Sequence, residues 1–354
     1  MTPFFATVVL AVSLGPMGPE APAREPQLAV NGSTVAMAFG AGQSIYFSKS
    51  VDSGKTFSKP AKIGGGEIIP LTRHRGPRIA FAGSAIVITA VIGKTAAEGA
   101  HAHGLPSDGD LIAWRSADSG RTWSKGTKVN DVPKAATEGL HGLAADAKGR
   151  LFAAWLDKRD GGTRLYGARS DDGGLSWSKN VLIYASPDGT ICECCHPSVA
   201  MRDGQPLVMW RNWLGGSRDM YLAASNDGNR FATPQKLGQG TWKLNGCPMD
   251  GGGIAVSANG VVTAWRREHS IFLDRPGEPE TKIGEGTDVA IADGKLGTYG
   301  VWVTPESLEF RGPNDKSPRA LGVKGDFPAI ATLADGSTIV AYEHDGKIQT
   351  RIVR

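Results

Sequence analysis

Residues 190 to 200 read TICECCHPSVA, which places three of the chain's four cysteines and a histidine in five consecutive positions. Thiolates are soft donors, so Cys192, Cys194, Cys195 and the more distant Cys247 suit Cu(I) or Zn(II), with His196 or Met249 completing the coordination. Copper is the more natural ion where a thioether and an imidazole stand nearby. Two other chemistries fit the same letters. Four cysteines can pair as two disulfides, for example Cys192 with Cys195 and Cys194 with Cys247. CECCH also satisfies C-x-x-C-H, the attachment signature of a c-type haem, with Cys192 and Cys195 as thioether positions and His196 as axial ligand. That reading leaves Cys194 and Cys247 over. C-x-C-C is denser than a structural staple requires, so a soft-metal site is the leading expectation.

Such a cluster needs a scaffold, and an internal repeat supplies it. SVDSGKTF begins at Ser50, SADSGRTW at Ser116, SDDGGLSW at Ser170 and the shorter SNDGNRF at Ser225, at spacings of 66, 54 and 55 residues. Between the copies, short apolar runs such as STVAMAF, AIVITAVI, LFAAWL and PLVMW alternate with Gly- and Asp-rich turns. Runs apolar on both faces belong to sheets covered on both sides. Seven strand-opening phrases recur, at 25, 76, 139, 195, 249, 287 and 326. Four-stranded antiparallel sheets repeated radially make an all-β fold, a β-propeller of six or seven blades, and the seven openings favour seven. In the repeated phrase Asp52, Asp118, Asp172 and Asp227 accept hydrogen bonds from turn amides, the following glycine takes positive φ, and the aromatic tucks between blades. These aspartates are structural pins.

Strand direction then selects a face. If the inner strand of each blade starts at one end of the ring, the loops entering inner strands share that end with the loops joining second and third strands. The chemically unusual residues fall there: His74 and Arg75, Glu138 and His141, the Cys192–His196 run, Cys247, Met249 and Asp250. His74, His141 and Asp250 are expected to form the rim. His101 and His103 belong to an insertion at 94–110 on the same side.

The chain opens MTPFFATVVLAVSLGPMGPEAPAREPQ. An apolar run from Phe4 to Leu14, too short for a permanent membrane span, precedes a small-residue cleavage pattern at Ala21-Pro22-Ala23. The expectation is a signal peptide over residues 1–23 and one exported domain over 24–354, secreted or periplasmic. The 354 residues carry a formal charge of +4, too little to argue for nucleic acid. No later run is long and apolar enough to predict a transmembrane helix.

The phrase S-x-D-x-G-x-T-W resembles the Asp box, or BNR repeat, of the sialidase-like propellers. That resemblance implies an exo-α-sialidase-type glycoside hydrolase with an arginine triad for the sugar carboxylate, an aspartate acid/base and a Tyr/Glu nucleophile pair. It also implies a glycan or other small ligand at the channel mouth. The family's F/Y-R-I-P phrase is absent here. Arg75, Arg211 and Arg266, with Arg351, are the guanidiniums that could be drawn on, with Glu138 or Glu343 beside Tyr299 or Tyr342. A non-catalytic propeller binding carbohydrate or protein through Trp213 and Trp242 is the remaining alternative.

Overall fold

The apolar runs become second strands because their side chains are covered from both sides. Thr34–Ala41 and Ala85–Ile92 are each buried at all but one position. The computed structural model describes residues 11–15, 20–98, 104–257 and 260–354. His101 and His103 lie outside the described residues. Among those described there is no helix, and so none that is long and apolar enough to cross a membrane. The strands form seven four-stranded antiparallel sheets, a seven-bladed β-propeller.

The seven inner strands are Ala23–Asn31, Arg78–Ala82, His141–Ala145, Ser198–Arg202, Gly253–Ser257, Thr287–Gly294 and Asp326–Thr332. Each touches the next and the last touches the first, which closes the ring around a central channel. Blade seven takes its outermost strand from the other end of the chain: Ala11–Leu14 pairs with Lys347–Val353. Leu14 packs in a cluster with Met37, Phe39 and Ile348. That strand falls inside the segment expected to be a removable leader, so cleavage before Arg24 would leave blade seven with three strands.

Second strands of blades three to six carry a tryptophan at matching places. Trp155, Trp210, Trp265 and Trp302 are at most 2% exposed and fill the layer between neighbouring blades. The repeated turns behave as pins. Asp118 accepts hydrogen bonds from the Ser116 and Thr122 hydroxyls and the Thr122 amide, which holds its carboxyl well below the usual range. Gly120 has φ +84, and a Cβ there would come within 2.2 Å of Phe47. Blades five to seven dispense with this turn. In blade five, third strand Ser270–Asp274 and outer strand Thr281–Glu285 are joined through residues 275–280 instead.

Candidate metal centre at the channel mouth

Residues 185–197 connect the outer strand of blade three, Val181–Tyr184, to the inner strand of blade four. Ile191 is buried and its amide bonds to the Thr163 carbonyl. The Thr163 and Thr190 hydroxyls both donate to one Glu193 oxygen. With Glu193 fixed between them, Cys192, Cys194 and Cys195 bring their sulfurs together. The separations are 3.6 Å for Cys192–Cys194, 3.3 Å for Cys192–Cys195 and 3.9 Å for Cys194–Cys195. These are free thiols, well beyond the bond length of about 2.05 Å for a disulfide. Met249, from the loop entering blade five, packs against them.

Charge around the sulfurs is cationic. Arg218 places Nη1 3.2 Å from Cys192 Sγ while its guanidinium stacks on Trp213, 4.2 Å from the ring centre. Arg211 is 1% exposed, and its three hydrogen bonds go to the carbonyls of Asp250, Arg218 and Arg266. A buried guanidinium bonded only to neutral carbonyls favours an anion close by. Cys192 meets that need. Hydrogen bonds from Cys194 and Cys195, aided by the charges of Arg218 and Arg211, hold its thiol well below the ordinary value despite burial. Cys195 is pushed up to about 11, chiefly by burial, and Cys194 is raised by its bonds to the other two sulfurs. Of the three sulfurs, Cys192 is the one whose surroundings favour the thiolate, with the other two placed to donate S–H to it.

The loop entering blade five is clamped. The Pro248 carbonyl accepts from Arg266 and the Asp250 carbonyl from Arg211. One Asp250 carboxylate oxygen accepts the Asp288 amide, and the other is buried without a partner. Met249 itself has φ +59, a left-handed conformation that costs about 1–2 kcal/mol in a side-chain-bearing residue. Of twelve such non-glycine residues among the described residues, seven (Glu25, Arg73, His74, Lys134, Met249, Asp288 and Phe327) lie in loops entering inner strands or in the bulges near their starts. The rest sit in tight turns elsewhere. Backbone strain therefore concentrates at this mouth, a signal no sequence motif announces.

Several expected members are placed differently. Cys247 stays outside the close group of three thiols; it is exposed and lines a cavity of about 680 Å³ together with Cys194 and Met249. His196 turns away from the sulfurs. Its Nε2 lies 3.1 Å from the Gly252 carbonyl and its ring 4.5 Å from that of His74. Gly251 makes this possible, since a Cβ there would lie 2.1 Å from the His196 carbonyl oxygen. His74 forms a 2.6 Å bond to Asp288, which raises it to about 9 against the opposing effect of burial. His141 is not a rim residue: it is fully buried beside the Thr89 hydroxyl, 2.9 Å away, and burial depresses it to about 3. A porphyrin does not fit CECCH, because Cys192 and Cys195 are at most 1% exposed and His196 faces the channel.

The arginines proposed for a carboxylate-binding triad are engaged elsewhere. Arg75 bonds the Glu138 carbonyl and pairs with its carboxylate at 3.7 Å. Arg266 holds the Pro248 carbonyl and stacks with Arg211 on Trp242. Tyr299 donates to the Gly336 carbonyl, in the turn between the first two strands of blade seven and so at the opposite end of the ring from Glu138. Glu343 binds the Arg24 side chain and the Glu25 amide.

Fold and repeat together define the class: a seven-bladed propeller whose first four blades carry the repeated aspartate turn. Residues 107–239 match the family model described as BNR repeat-like domain. No curated protein matches the chain. Among solved structures it is similar to a protein of unknown function from Dyadobacter fermentans, at 15% identity and TM-score 0.57 over 97% of this chain and 98% of that one. The leech intramolecular trans-sialidase shows 13% identity and TM-score 0.52 over 94% and 68%. The α-L-arabinanase of Penicillium chrysogenum shows 15% identity and TM-score 0.51 over 98% and 97%. The chain is thus a seven-bladed β-propeller in which residues 107–239 match a BNR repeat-like domain.

Proposed function

We propose that this propeller, exported by its N-terminal leader, binds a soft metal ion at the mouth of its channel, Cu(I) in preference to Zn(II). Cys192, Cys194 and Cys195 are the ligands and Met249 completes the site. The observation that carries the reading is three unpaired sulfurs within 3.9 Å of one another, beside two guanidiniums that favour thiolate. An ion about 2.3 Å from each sulfur in tetrahedral array spaces them about 3.8 Å apart, so small outward shifts suffice. A neighbouring thioether, rather than an imidazole or carboxylate, favours Cu(I). Binding displaces thiol protons, so metal affinity rises with pH.

The test is anaerobic purification followed by metal analysis and thiol counting, then titration with Cu(I) and Zn(II) against chelators. One ion per chain, lost in Cys192→Ser/Cys195→Ser, is the expected result. A Cys192–Cys195 disulfide in the freshly isolated protein, or no affinity for either ion, overturns the proposal. Export is tested separately by the mass of the mature N-terminus.

The trans-sialidase and arabinanase among the structural neighbours keep a glycan ligand at the mouth in view. Sialidase chemistry has the weaker support, because Arg75, Arg211 and Arg266 are bound to protein groups. Release of product from a fluorogenic sialoside would restore it.

A further inference from the structure

Exposure of the four sulfurs is graded. Cys192 and Cys195 are 0% and 1% exposed, Cys194 is 6%, and Cys247 is open to solvent. Of the cysteines only Cys194 and Cys247 line the 680 Å³ cavity, and Met249, two residues beyond Cys247 in sequence, lies on its wall. The cavity is in the size range of small-molecule sites. Its wall also carries Arg73, Lys134, Glu98 and Glu193, none in an ion pair among the described residues, while Glu138 is paired with Arg75 and Lys158. The unpaired wall charges are of both signs, which suits a zwitterionic small molecule.

Resting on the metal reading above, we propose that Cys247 is the exchange ligand of this site. It takes Cu(I) from a complex with a zwitterionic low-molecular-weight thiol held in the cavity, and passes it by way of Cys194 to the buried sulfurs. The step is ligand substitution with copper at +1 throughout. A bond from Cu(I) to the Cys247 sulfur forms as one bond to the donor sulfur breaks, and the Cys247 proton leaves on the released thiol. Cys194 then displaces Cys247 from the ion, giving up its own proton to solvent. Met249, clamped through Pro248 and Asp250, holds the loop at a fixed distance from the triad so that the ion crosses without unfolding the mouth.

The experiment compares wild type with Cys247→Ser under anaerobic conditions, following thiolate-to-copper absorbance in stopped flow. Cu(I) is supplied as its glutathione complex or, in a parallel arm, as a weak acetonitrile complex. Loading from glutathione is expected to slow by at least about tenfold in Cys247→Ser. Affinity measured by chelator competition should stay within about threefold, since the substituted residue is not among the three close sulfurs. Loading from acetonitrile should proceed at the wild-type rate. Equal loading rates from glutathione overturn the exchange role, as does a large loss of affinity, which would make Cys247 a resident ligand. If the wild type takes up no copper from either source, the metal reading itself fails.

Discussion

Arg218→Met removes one charge beside the thiol cluster and leaves most of the side chain's packing in place. The methionine still covers Trp213. The residue's main-chain bonds, its amide to the Trp242 carbonyl and its carbonyl to Arg211, do not depend on the guanidinium. What is lost is the charged hydrogen bond to Cys192 at 3.2 Å, together with the cation–π contact to Trp213, which does not touch the metal ligands. Such bonds contribute about 1.5–3 kcal/mol, and the half-buried setting argues for the lower half of that range. Since each 1.4 kcal/mol is a factor of ten, Cu(I) affinity should fall roughly 10- to 40-fold. The direction follows from charge: without Arg218 the Cys192 thiol rises, and protons compete more strongly with the ion. Two assays read this, chelator competition for Cu(I) and the pH midpoint of iodoacetamide labelling, which should move upward. Affinity within twofold of wild type, in a variant whose melting temperature is unchanged, would refute the claim that this guanidinium holds the thiolate.

Three further outcomes follow from the packing and the channel. Trp302→Ala should destabilise the fold by about 3–5 kcal/mol in urea unfolding, because the indole is fully buried between blades and the cavity left cannot collapse in a closed ring. Gly251→Ala should lower stability by about 1–3 kcal/mol and shift the His196 ring resonances, since the new Cβ would meet the His196 carbonyl oxygen at 2.1 Å. His74, raised to about 9 chiefly by Asp288, stabilises the folded state fully below its unfolded value near 6.5, and that stability is lost as pH rises through about 9. The span corresponds to about 3 kcal/mol. Melting temperature should fall between pH 7 and 10, and Asp288→Asn should flatten the profile although Glu25, Asp250 and Arg78 still surround the imidazole.

The blades were legible because their signals are local. Asp52, Asp118, Asp172 and Asp227 sit in turns whose whole hydrogen-bond pattern spans a few residues, and the runs ending in Trp155, Trp210 and Trp265 announce burial by composition alone. The seventh blade shows where this ends. Nothing in Ala11–Leu14 marks it as a partner of Lys347–Val353, because that pairing is a consequence of ring closure. The face carrying the unusual residues followed from strand direction, which is why Arg75, Glu138, Cys194, Cys247 and Met249 meet at one cavity. Side-chain aim was not legible. His196 adjoins Cys195 in sequence, yet alternation along the entering strand points it to the channel, and His141 is drawn inward to Thr89.

The same geometry explains how two segments about fifty residues apart can form one site without a domain interface. Inner strands of adjacent blades touch along the channel, so the loops entering them begin side by side. Residues 190–197 and 246–252 are such neighbours. Each is rigid for a separate reason, the first through Glu193 and Ile191, the second through the carbonyls held by Arg211 and Arg266. Arg211 belongs to the second strand of blade four, Gln205–Arg211, and contacts both loops, since its own carbonyl accepts the Cys192 amide. Its guanidinium clamps the methionine loop through the Asp250 carbonyl, while its main chain holds the thiol loop. Arg211→Lys supplies one compact charge in place of a planar fork, so it should loosen 246–252 and leave the main-chain tie to 190–197 intact. That distinguishes it from Arg218→Met, which acts beside the thiolate. A hydrogen-exchange map of Arg211→Lys showing increased exchange in 190–197 but not in 246–252 would contradict that division.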